Sequence, residues 1–284
     1  MLTPLSASER RRTVRNLIIF TVVALASGWI GAYIDTLLPE QAEEDTLGMA
    51  FWLVVPLIAV VLLRSFAGDG WKDGGFALRF RGNLSWYAGA LIIFPAVTAL
   101  ATGTGAAAGL VNFEGFEADT YFRLFIGLLF INVLKNFFEE SVWRGYLTAK
   151  LVRLNLSDIK IYLIAGMVWG LWHVPYYLVF LEEATLRSIL PVDPLFFAGF
   201  AVLHMIVWTV MFTELFRITR SVWSVVLLHA SEDATVNHLI IDGHITFSSG
   251  GAWVFSPVCG LLPGVLYLGI GLWMRKRRID GEVL

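Results

Sequence analysis

The sequence predicts an all-α, polytopic membrane protein of eight transmembrane helices with both termini cytoplasmic, and three observations carry that expectation. Of the 284 residues, 57% are hydrophobic and only 15% are charged. The apolar residues come in blocks near the roughly 20 residues that cross about 30 Å of hydrocarbon. The basic residues collect in alternate connecting segments, the pattern that results when lysine and arginine are retained on the cytoplasmic side.

The blocks lie at residues 16–34, 49–63, 84–103, 121–141, 161–181, 193–215, 222–241 and 253–274. The first follows "MLTPLSASERRRTVRNLIIF", four arginines ahead of an apolar stretch that no small-residue cleavage site ends. It therefore reads as an uncleaved span and not a signal peptide. The second is short. The third, "GALIIFPAVTALATGTGAAAG", is rich in small residues expected to serve close helix packing. The fourth closes on "FFEESVWRGYL", the fifth holds "WGLWHVP", the seventh holds "LLHASEDATVNH", and the eighth runs into "RKRR". With the N-terminus inside, 18 of the 21 lysines and arginines fall on cytoplasmic segments, Arg187 alone falls outside, and Arg123 and Lys135 lie within the fourth span. The outer loops are acidic ("DTLLPEQAEEDTLG") or Gly, Ala and Ser-rich. The longest connector, Arg64 to Asn83, reads as an interfacial segment with Trp and Phe at headgroup level. No soluble domain and no fixed-period repeat is found. Residues 1–284 are expected to form one integral-membrane domain of the plasma membrane with a motif-bearing core at 121–241.

Composition also excludes some classes of function. A net charge of -2 and the lack of a basic stripe interleaved with aromatics argue against nucleic acid as a partner. The single cysteine, Cys259, rules out an internal disulfide framework or a cysteine-based metal site.

Charges inside spans cost roughly 2.5–3.5 kcal/mol each on insertion scales, so they are expected to be paired, hydrated or functional. Glu140 and Arg144 are i and i+4 on a helix and share a face, whereas Glu139 points about 100° away. One carboxylate is thus available to the guanidinium and the other to chemistry. Counted at 1.5 Å per residue from the basic ends, Glu139 lies about 16 Å deep, His173 about 20 Å and His229 about 14 Å, so the three fit one layer. Pro175 removes a backbone donor and is expected to open a kink beside His173. A carboxylate in an apolar, partly dry setting takes a proton more readily than one tied to a guanidinium, which makes Glu139 the better general base for water. His229 and Asp233, again i and i+4, suit work at a reacting carbonyl: the histidine as donor to the oxyanion, the aspartate orienting the ring. No HExxH helix and no GxSxG turn occurs. A zinc ion held by carboxylate and imidazole groups from separate helices stays open, and no other cofactor is expected. His204, Glu214, Glu232 and His238 fit no motif and are expected to bond between helices or at the interface. Lys135, one turn before Glu139, is expected to turn away and bond elsewhere.

Three motifs then resemble those of the type II CAAX prenyl endopeptidases and their prokaryotic relatives, the CAAX proteases and bacteriocin-processing or immunity proteins: "EESVWR" from Glu139 to Arg144, "WGLWH" from Trp169 to His173, and "HASED" from His229 to Asp233. The resemblance implies a helical intramembrane peptidase in which Glu139 and His173 activate water, His229 and Asp233 stabilise the oxyanion, and Glu140, Arg144 and Trp169 shape the site. It implies removal of the last three residues after a prenylated cysteine, hence a prenylated or lipid-associated peptide or protein as partner, met among membrane lipids. Trp169 stands where many members have Phe, and Asp233 stands where well-studied members have Asn. An ionised aspartate cannot donate to an oxyanion, so Asp233 is expected to orient His229. The alternatives are a metal-dependent form of the same peptidase and a non-catalytic immunity or transporter-like protein. The latter is disfavoured because the two halves show no inverted repeat.

Overall fold

The computed structural model describes residues 5–38, 41, 46–248 and 250–281. Part of the acidic loop at 35–48, and Ser249 of the Gly/Ser turn, lie outside the described residues. The chain is helical nearly throughout: α1 (Ala7–Leu37), α2 (Leu47–Phe66), α3 (Leu84–Ala107), α4 (Ala118–Val142), α5 (Ala149–Arg153), α6 (Asp158–Pro175), α7 (Glu183–Ile189), α8 (Pro194–Thr219), α9 (Val222–Ile241), α10 (Gly251–Phe255) and α11 (Leu261–Ile279). A π-helical turn, Trp143–Thr148, joins α4 to α5 without a break, and a second, Tyr176–Phe180, continues α6. Two short strands, β1 (Val111–Asn112) and β2 (Thr246–Phe247), pair antiparallel.

Six stretches among the described residues have the length and apolarity to cross a membrane: α1, α2, α3, α4 carried on to Arg153, α6 carried on to Phe180, and α8. The seventh expected span is α9. Its polar side chains, His229, Ser231, Glu232, Asp233 and His238, are buried inside the bundle. The eighth expected span, 253–274, is broken. Pro257 lacks an amide donor, and Gly260 lies so close to Ser256 that a Cβ there would stand 2.6 Å from its backbone nitrogen. The chain therefore turns between α10 and α11. The second span, expected to be short, runs a full 20 residues. Around the outside, Ile18, Val22, Ile92, Phe130, Ile131 and Leu134 are exposed, as lipid-facing side chains are.

The basic segments meet at one end. Arg10 Nη1 donates to Leu154 O at 3.0 Å, and Asn16 Nδ2 to Ala67 O at 3.2 Å. Asp158 at the start of α6 takes Arg217 of α8 and Arg275 of α11, each at 2.7 Å. The connector after α2 is built into this end. Arg64 pairs with Asp73 at 2.8 Å and reaches Gly145 O, while Lys150 bonds Asp73 at 2.7 Å and Asp69 O at 2.8 Å. Trp71 and Phe80 on the same connector are half exposed.

Close packing differs from expectation in one respect. Gly89 and Gly103 of the third span face open space, whereas Gly105 of the same helix is closely packed, a Cβ there standing 2.4 Å from Val111 Cγ2. The glycines that admit a neighbouring backbone are elsewhere: a Cβ on Gly166 of α6 would stand 2.6 Å from Ile206 Cα of α8. That approach seats α6, with Trp169 and His173, directly on α8.

Candidate active site

The residues singled out by sequence come together from α4, α6 and α9. α4 and α9 lie against each other, and Trp169 of α6 holds the two histidines on either side: its ring centroid is 5.9 Å from that of His173 and 5.8 Å from that of His229.

The adjacent glutamates part company as their helical phase predicts. Glu140 is fully buried, and its Oε1 accepts from Arg144 Nη1 at 2.8 Å and from His229 Nδ1 at 2.8 Å. The Arg144 guanidinium lies 3.9 Å from the Trp169 ring centroid and 4.3 Å from that of Phe212, so two π faces and one carboxylate receive its charge. Arg144 belongs to the π-helical turn, whose extra residue per turn is a feature that frequently marks functional positions. Glu139 faces the other way. Its side chain is 11% exposed and lines an apolar cavity of about 350 Å³ between α2 and α4, together with Leu53, Leu57, Lys135, Phe138 and Trp172.

Two expectations about neighbours are corrected. Asp233 does not orient His229 by a hydrogen bond, because the ring's Nδ1 is on Glu140. Asp233 instead accepts from Lys135 Nζ at 3.2 Å, Asn136 Nδ2 at 2.7 Å and Asn237 Nδ2 at 3.1 Å. Lys135 does not turn away: its ammonium also stands 3.6 Å from Glu139 Oε1, between the two carboxylates. The reason is geometric. Lys135 and Glu139 are one turn apart on α4, and α9 presents Asp233 to the same face, so one cation serves both acids.

His173 is fixed by a bond along its own helix, Nδ1 to Trp169 O at 2.8 Å, which leaves Nε2 as the nitrogen with a free lone pair. For His229 the bond to Glu140 engages Nδ1 and leaves Nε2 without a hydrogen-bond partner among the described residues. The Pro175 region is irregular as expected: Tyr176 N–H bonds His173 O, and the Trp52 indole of α2 donates to Trp172 O at 2.9 Å, stacking on Trp172 with centroids 4.2 Å apart.

Asn136, Asn237 and Phe212 belong to the site and were not singled out by sequence. Asn136 precedes Glu140, and Asn237 follows Asp233, by one helical turn, so the i, i+4 rule was the available signal. Glu214 bonds between helices as expected, to Tyr162 of α6 at 2.5 Å and to Arg278 of α11. His204 bonds Phe200 O at 3.3 Å, and His238 bonds Asp242 at 3.0 Å near the strand-bearing end. Glu232 is buried beside His229 and Asp233.

Among the described residues, two groups of side chains have ligand atoms near enough to share a cation, His229–Glu232–Asp233 and His238–Asp242–His244, each within 4.8 Å. In the first, a positive charge already lies against Asp233, the ammonium of Lys135.

A search among curated proteins found no match. Residues 121–235, the stretch that runs from the start of α4 through Asp233, match the sequence model of a family described as type II CAAX prenyl endopeptidase, Rce1-like.

Proposed function

We propose that this protein is a CAAX-type intramembrane endopeptidase that uses water activated by Glu139. The observation that carries the reading is the division between two adjacent carboxylates. Glu140 is spent on Arg144 and His229 in a dry interior, while Glu139 alone opens to the cavity. A base has to reach the water it deprotonates. Glu139 has that access and Glu140 does not.

The cavity wall is almost wholly apolar and lies between two helices whose outer faces meet lipid. A prenyl or other lipid chain attached to a peptide fits such a wall, with the scissile bond brought to the polar floor. There Glu139 takes a proton from water as the water oxygen bonds to the scissile carbonyl carbon. The carbonyl π pair moves to oxygen, where a doubly protonated His229, its Nδ1–H held by Glu140, donates through Nε2–H, and the Lys135 ammonium donates beside it. Collapse breaks the C–N bond, and the proton held by Glu139 passes to the departing amine. His173, with its free Nε2, holds the attacking water by accepting its second proton in a hydrogen bond.

Asp233 cannot donate, and all three of its contacts are with donors. Its role in this reading is to hold Lys135 over the reacting group. Eight helices cross the membrane in the same reading, with the basic end and both termini cytoplasmic, in the plasma membrane. A metal-dependent variant has one observation in its favour, the His229–Glu232–Asp233 cluster. Incubating purified protein with a farnesylated CAAX peptide, parent against Glu139→Gln, and identifying the products by mass spectrometry tests the reading. Release of the terminal tripeptide by the parent alone is the expected outcome.

A further inference from the structure

The basic end of the bundle holds a second cavity, of about 470 Å³, whose wall has a chemistry opposite to that of the first. Five arginines line it, Arg79, Arg81, Arg217, Arg220 and Arg278, and no acidic side chain does. Arg217 and Arg278 are already committed to Asp158, at 2.7 and 2.9 Å, and to Glu214. Arg79, Arg81 and Arg220 have no carboxylate partner among the described residues. Three guanidinium charges therefore converge on one hollow without compensation.

The two segments that carry the arginines are tied together by hydrogen bonds, among them Asn83 Nδ2 to Arg79 O at 2.9 Å and to Thr219 O at 3.4 Å. Tyr87 Oη donates to Ser221 Oγ at 3.0 Å, Ser221 Oγ donates to Ala77 O at 2.8 Å, and Val222 N–H donates to Gly75 O at 2.8 Å, tying the connector after α2 to the turn between α8 and α9. Arg220 itself sits at φ +52°, the left-handed helix cap where glycine is favoured and a side chain costs about 1–2 kcal/mol. The chain thus carries an arginine at the position where backbone geometry alone would select glycine. Beside the arginines, Leu78, Phe80 and Leu84 are exposed at the level where α3 begins, an apolar rim next to a cationic hollow.

We infer that this cavity is a binding site for the phosphate-bearing headgroup of an anionic phospholipid, with the arginines on the phosphate and the Leu78, Phe80 and Leu84 rim against the glycerol and upper acyl chains. Guanidinium forks match phosphate oxygens in geometry as well as charge. The inference is independent of the peptidase reading and is tested without measuring cleavage.

The experiment is a lipid titration of the detergent-purified full chain by native mass spectrometry. Phosphatidylglycerol, phosphatidylcholine and inorganic phosphate serve as probes, with the variants Arg79→Ala/Arg81→Ala, Arg220→Gly and Lys72→Ala. Arg79 and Arg81 are exposed, and glycine suits the backbone at 220, so these variants fold. Phosphatidylglycerol is expected to bind at one site, with affinity falling about fivefold for each arginine removed, as about 1 kcal/mol per basic residue near an anionic surface implies. Lys72→Ala, which removes one charge as Arg220→Gly does but lies outside the cavity, is expected to bind as the parent does. Phosphatidylcholine should bind at least tenfold more weakly. Equal binding of the two lipids, or equal affinity in the parent and the arginine variants, would overturn the inference. Inorganic phosphate binding as tightly as phosphatidylglycerol would assign the site to a free anion and overturn the lipid.

Discussion

Exchanging each of the two adjacent glutamates for glutamine separates chemistry from architecture. Glu139 has one charged neighbour, Lys135 at 3.6 Å, and that lysine keeps Asp233 at 3.2 Å when Glu139 is neutralised. Loss of so loose a pair costs about 1 kcal/mol at most. Glu140 is different: it is fully buried and holds Arg144 and His229, each at 2.8 Å. Glutamine keeps one acceptor oxygen but removes the countercharge of a buried guanidinium, and removing one charge of a buried pair costs about 3–5 kcal/mol. Against a total stability of about 5–15 kcal/mol, that is a large fraction.

Glu139→Gln is therefore expected to melt within a few degrees of the parent and to cleave a farnesylated CAAX peptide at least about 10²–10³-fold more slowly, the range seen for loss of a single transition-state donor. Glu140→Gln is expected to melt far lower, with a smaller loss of turnover in whatever fraction stays folded. Circular dichroism melting in detergent, paired with product mass spectrometry on the same preparations, reads both quantities. Turnover within tenfold of the parent in Glu139→Gln, or a collapse of its stability to match Glu140→Gln, would refute the assignment of roles.

Lys135→Met is expected to lower kcat about 10²–10³-fold with little change in KM, since the donor is lost only in the transition state; a faster enzyme would mean that Lys135 merely restrains Glu139. Asp233→Asn is expected to slow turnover at least about tenfold, because the ammonium then leans on Glu139 alone; unchanged activity would remove Asp233 from the device. Chelators are expected to leave cleavage intact, and a loss restored by added zinc would instead make His229, Glu232 and Asp233 ligands. In intact cells, an impermeant thiol reagent is expected to label Glu114→Cys from outside and Lys72→Cys only after permeabilisation; the reverse pattern would invert the topology.

The helices long and apolar enough to cross a membrane were legible because a water-soluble fold rarely needs uninterrupted hydrophobic blocks of that length, and the bounds of α9, which is not among those six, were placed at 222–241 to the residue. The break at Pro257 was hidden by the apolar residues on both sides of it, since hydropathy counts side chains and not backbone donors. Glu139, Glu140, Arg144, Trp169, His173, His229 and Asp233 could be singled out as candidates because helical phase and motif spacing act within one helix. What escaped were partners across helices. The i, i+4 rule offered Asp233 to His229, but α4 brings Glu140 to that ring at 2.8 Å, and no spacing within α9 contains that fact. The same limit applied to Lys135, whose second carboxylate comes from α9.

That second carboxylate accounts for how an acid serves at position 233. An amide there could donate to an oxyanion directly, whereas an aspartate cannot, and an uncompensated carboxylate would oppose the negative charge that grows on the carbonyl oxygen. Around Asp233 the structure supplies three donors, one of them an ammonium, so its charge is balanced and its two oxygens are occupied. In the proposed mechanism the donor that an asparagine would have offered is replaced by Lys135, whose side chain is 45% exposed and lines the same cavity as Glu139. On that proposal the residue pair, not the residue at 233, is the functional unit. A double variant follows from this: Asp233→Asn with Lys135→Met removes the aspartate's charge and the cation together, and the amide regains its own donor. If the pair is the unit, the double variant cleaves faster than Lys135→Met alone. If the two residues act independently, their losses multiply, and the double variant is the slowest of the three.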